Sequence, residues 1–107
     1  MFGRKKPPKN TDSVAFKRYM AEHLDGRHVR YVLEREDNSE KIIGREGFLS
    51  VSGDEFIVIG SGKTLFRAKI DTFTAWEFLS LEGAVISGVD LETGKERTVL
   101  AYYKFYR

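Results

Sequence analysis

The spacing of apolar positions changes once along this chain. Phe16, Met20 and Leu24 recur at i, i+4 and i+8, with Tyr19 and His23 beside them. One stripe at the helical period predicts an amphipathic helix from Ser13 to Asp25. Asp12 or Ser13 can accept from the orphan N–H groups of its first turn. Gly26 is a natural stop, because glycine enters left-handed backbone at little cost.

Beyond Gly26 the period falls to two. Val29, Tyr31 and Leu33 alternate with His28, Arg30 and Glu34, the pattern of a half-buried strand. Glu36-Asp37-Asn38-Ser39 reads as a turn, and Ile42 to Val51 as a second strand bent at Gly44 and Gly47. After the turn Ser52-Gly53-Asp54, Phe56 to Ile59 is apolar on both faces and reads as a central strand. Gly60-Ser61-Gly62 turns the chain again, and Phe66, Ala68 and Ile70 alternate with Leu65, Arg67 and Lys69. Three more strands are expected, at Phe73 to Leu79, Ala84 to Leu91 and Arg97 to Phe105, with Thr93-Gly94-Lys95 as the last turn.

Seven short strands without crossover helices predict an all-β fold, a meander curled into a small, partly closed antiparallel barrel. The N-terminal helix, with its Phe16/Met20/Leu24 stripe, is the expected cover for its open end.

Composition narrows the classes. The chain has 107 residues, 41% of them hydrophobic and 32% charged, which suits a single domain. There is no Cys, so disulfide scaffolds, thiolate metal sites and cysteine nucleophiles are excluded. No apolar run approaches the roughly 20 residues that span a bilayer, and the first ten residues lack the apolar stretch of a secretory signal. A cytoplasmic location is the expectation. The net charge of +2 is concentrated at the start: residues 1–12 carry Arg4, Lys5, Lys6 and Lys9 against Asp12. Residues 1–11 are read as a disordered basic tail and 12–107 as the domain. Such a tail can contact RNA, DNA or an anionic lipid surface electrostatically.

Two tempting sites fail on chemistry. Gly60-Ser61-Gly62-Lys63-Thr64 matches the end of a phosphate-binding loop, but Ile57 stands where the first glycine belongs. A strand pattern also follows where a helix N-terminus is required. His23 and His28 flank Gly26 five residues apart and do not share a helical face, so they make no metal pair. The carboxylates lie mainly in turns and on polar faces, with no acid/base couple and no nucleophile elbow. No catalytic residue, metal ligand or cofactor motif is assigned.

The aromatics carry the remaining signal. In Thr74-Ala75-Trp76-Glu77-Phe78-Leu79, Trp76 and Phe78 share one face while Ala75 and Leu79 share the other. A solvent-facing Trp76/Phe78 pair would be a binding hot spot; the competing expectation makes Trp76 the large core residue of the barrel. At the C-terminus Tyr102, Tyr103, Lys104 and Tyr106 interleave rings and cations, which suits stacking on bases and equally suits a terminal strand.

Two families resemble parts of the chain. Gly26-Arg27-His28-Val29 after a short helix, followed by the bent strand ending Phe48-Leu49-Ser50-Val51, resembles the Sm/LSm arrangement and implies a five-stranded, ring-forming RNA binder. Gly47-Phe48-Leu49-Ser50-Val51, then Phe56 to Ile59, then Phe66 to Asp71, is similar to bacterial pleckstrin-homology-like and GRAM-like domains, and implies lipid-headgroup or protein binding. The resulting expectation is a non-catalytic binding or scaffold module with a protein partner. Nucleic acid bound through the tail and terminal aromatics, an anionic membrane surface, and a second copy of the chain are the alternative partners.

Overall fold

A computed structural model describes residues 13–103. A helix, α1 (Val14–Leu24), precedes seven strands: β1 (His28–Glu36), β2 (Ser39–Ser52), β3 (Glu55–Gly60), β4 (Lys63–Lys69), β5 (Thr74–Glu77), β6 (Gly83–Val89) and β7 (Glu96–Tyr102). They form one antiparallel sheet in the order β4-β3-β2-β1-β7-β6-β5, curled but not closed. Phe56–Ile59 is therefore next to an edge strand and not central, and the strand expected from Phe73 to Leu79 shortens to four residues.

Strand parity explains the open seam. Six antiparallel pairings separate β4 from β5, so these two strands run in the same direction. Joining them in a ladder would need a parallel pair, whose crossover takes a dozen residues or more. Only Ile70–Phe73 connects them. The exposed edge of β4 is instead covered by the turn between β6 and β7, where Leu91 N donates to Arg67 O (2.7 Å) and Arg67 N donates to Asp90 Oδ1 (3.3 Å). Hydrogen-bonded cover of this kind removes a template for edge-to-edge pairing.

The interior is apolar: Val29, Val32, Leu49, Phe56, Val58, Phe66, Ile86 and Val99 are fully buried. The expected grouping of Val29 with Tyr31 and Leu33 is corrected. Val32, not Tyr31, follows Val29 inward, and the pairing with β2 shifts register between Val32 and Leu33. That shift leaves Ile43 of β2 opposite no residue of β1, a one-residue bulge in β2. A second irregularity sits between Val58 and Ile59 and brings Leu65 against the core. Leu65 occupies the space above Gly44 and Gly60, where an added Cβ would stand 2.4 Å and 2.7 Å from its Cδ1.

The helix is built as expected. Ser13 caps it, accepting from Phe16 N at 3.1 Å, and Phe16, Met20, Ala21 and Leu24 are buried. Two cations on α1 bond carbonyls of the turns beneath: Lys17 Nζ donates to Phe73 O (2.8 Å) and Arg18 Nη1 to Gly53 O (3.1 Å). Its C-terminal end is sewn to β2, where Gly26 N donates to Leu49 O and Val51 N to Asp25 Oδ1, both at 2.8 Å. The helix thus covers one end of the barrel.

Candidate interaction surface

The other end is closed by charge. Glu34 and Arg97 take inward positions on β1 and β7, and Asp90 follows β6. Arg97 makes a two-pronged bond to Glu34, with Nη2 and Nε at 2.7 Å and 2.8 Å from its oxygens. Its Nη1 reaches Asp90 Oδ2 at 2.7 Å and Leu65 O at 2.9 Å. Asp90 is only 1% exposed. It also accepts from Arg67 N, Glu92 N and Thr93 Oγ1. The hydrogen bond from Arg97 holds the Glu34 carboxyl below its usual range. Burial opposes ionisation of Asp90, but the bonds from Arg97 and the backbone N–H groups outweigh it and lower its pKa too. The guanidinium is correspondingly more basic. These bonds fasten the turn to the barrel, and beside them the Nε of Arg67 is buried without a hydrogen-bond partner.

A second tie lies beneath the helix. Glu77 receives Tyr103 OH at 3.1 Å and Arg27 Nη2 at 3.3 Å, and His23 Nε2 lies 2.9 Å from its other oxygen. The Arg27 guanidinium carbon sits 4.2 Å from the centre of the Tyr103 ring. Burial, with the Glu77 charge added, pushes the Tyr103 phenol well above its ordinary value, so it stays protonated and donates. His28 pairs separately with Glu46 (3.3 Å), so the two histidines serve different carboxylates. Among the described residues no group of three or more His, Cys, Asp or Glu could hold a metal. Gly60–Thr64 is the hairpin between β3 and β4, and Ser61 bonds Arg45 through both N and Oγ.

The solvent face of the sheet is a different surface. Trp76 is opposite Val85, Val85 opposite Leu100, Leu100 opposite Leu33, and Leu33 opposite Ile42. One apolar row thus crosses five strands, β5-β6-β7-β1-β2. None of its five residues belongs to the interior core. Trp76 is 48% exposed and Ile42 45%, while Leu100 in the middle is 3% exposed beneath its neighbours. The expectation that Trp76 fills the core is therefore corrected: Ala75 takes the inward position, and Trp76 leans on Phe16 with ring centres 5.3 Å apart.

An aromatic row lies beside it. Tyr31 stacks on Tyr102 at 4.8 Å, and Phe78 meets Tyr102 edge-on at 5.1 Å. Phe78 lies over Gly83, where an added Cβ would stand 2.9 Å from its ring. On the other flank the row is polar, with Ser87 bonded to Thr98 (2.9 Å) and Arg35 paired to Glu40 (3.0 Å). The loop between β5 and β6 stands over this face and makes a groove of about 460 Å³. Its floor is Leu100 and Tyr102; Phe78, Leu79, Ser80 and Glu82 line one side, Arg35 and Glu40 the other.

The structure thus brings Trp76, Phe78 and Tyr102 to one face and turns Tyr103 inward, to Glu77. Lys104, Tyr106, Arg4, Lys5, Lys6 and Lys9 lie outside the described residues. The row partners Leu33, Ile42, Val85 and Leu100 were not singled out by the sequence, because membership depends on register. Among the described residues no helix is long and apolar enough to cross a membrane. No family model, curated protein or solved structure matches this chain.

Proposed function

We propose that this domain is a non-catalytic protein-binding module and that it binds through the outer face of β5-β6-β7-β1-β2. The observation that carries this is the apolar row Trp76–Val85–Leu100–Leu33–Ile42 on the outer face of the sheet, with Trp76 and Ile42 at its ends nearly half exposed. An aromatic-rich patch with a polar rim is the anatomy of a protein contact. Electrostatics favours this reading over nucleic acid or anionic lipid. Residues 13–103 hold 12 Lys and Arg against 15 Asp and Glu. Arg27, Arg30, Arg35, Arg67, Lys69 and Arg97 face carboxylates. Half of the cations among the described residues are thus turned to carboxylates and the described residues are net negative, which disfavours a phosphate surface. Of the two resemblances we favour the pleckstrin-like one, on seven strands against the five of an Sm barrel.

The test sets the classes side by side. A photo-reactive residue replacing Trp76 in the full chain, irradiated in the producing cell, is expected to give a discrete protein adduct that Ile42→Asp abolishes. Labelled single-stranded RNA and phosphatidylglycerol vesicles are expected to bind only at low salt. Changing Arg4, Lys5, Lys6 and Lys9 to Ser should remove that binding. RNA binding that survives this change and fails in Tyr102→Ala would overturn the reading.

A further inference from the structure

No further inference is drawn: the strongest candidate, the groove between the β5–β6 loop and the outer face of the sheet, with Leu79 and Leu81 exposed on that loop, carries nothing beyond the protein-binding reading, because nothing in the structure shows what covers it.

Discussion

One end of the barrel is closed by Phe16, Met20 and Leu24 on the helix, the other by Glu34, Asp90 and Arg97 from within the sheet. Both close the same apolar interior, yet by opposite means. The helix end gains from each methylene withdrawn from water and tolerates imperfect fit, because apolar contact is non-directional. The charged end must first offset desolvation, and holds only while every donor and acceptor is matched. One end should therefore degrade gradually under mutation and the other abruptly.

Arg97→Met makes the largest break. It strands Glu34 and Asp90 and is expected to cost about 4 kcal/mol, read as a lower urea midpoint at unchanged slope. Adding Glu34→Leu to that variant should recover part of the loss, because the stranded charge goes with it. Leu24→Ala, at the opposite end, is expected to cost about 3 kcal/mol, as for other fully buried leucines; a second change at the same end should add to it smoothly.

The two ends should also fail at opposite limits of pH. Glu34 and Asp90 have depressed pKa values in the folded state, below their ordinary 4.5 and 3.8. Their contribution is complete above those values and is lost as pH falls through the folded ones. Tyr103 is raised above its ordinary 10.0, so its contribution is complete below that value and is lost as pH rises beyond it. Melting curves should show the acid limb flattened by Glu34→Gln and the alkaline limb flattened by Tyr103→Phe, with Leu24→Ala altering neither. The smallest effect belongs to the helix cap: Ser13→Ala should cost about 1 kcal/mol in the same urea titration.

The apolar end was legible in the sequence and the charged end was not. The Phe16/Met20/Leu24 stripe, Ser13 as cap and the turns at Asp37-Asn38, Gly53-Asp54 and Gly94 are local signals, and each corresponds to an element of the structure. Glu34 was hidden by a phase error. Reading Val29, Tyr31 and Leu33 as one face places Glu34 in solvent, whereas β1 turns Val32 inward three residues after Val29, and Glu34 follows Val32. Arg97 shares parity with Val99 and Ala101, an inward position that a charged residue occupies only with a partner. That clue was present, but of its two carboxylate partners Glu34 was 63 residues away and Asp90 reads as an ordinary turn residue. Trp76 was ambiguous for the same reason: alternation states that two faces exist and leaves their assignment to the whole sheet. The seam was implicit in the strand count, since an odd ring of strands has no fully antiparallel closure.

The pairing of β1 with β7 has a consequence for how the chain is made. Leu33 meets Leu100 across 67 residues, and closing a loop of that length costs about 4 kcal/mol of chain entropy before any contact repays it. Four strands can leave the ribosome as a twisted ribbon with Phe56, Val58 and Phe66 uncovered, and the barrel cannot form until the last strand emerges. Folding is thereby deferred until β7 is available to pair and falls in the slower range of small domains, milliseconds to seconds. The nascent chain depends through that interval on whatever shields its half-built interior.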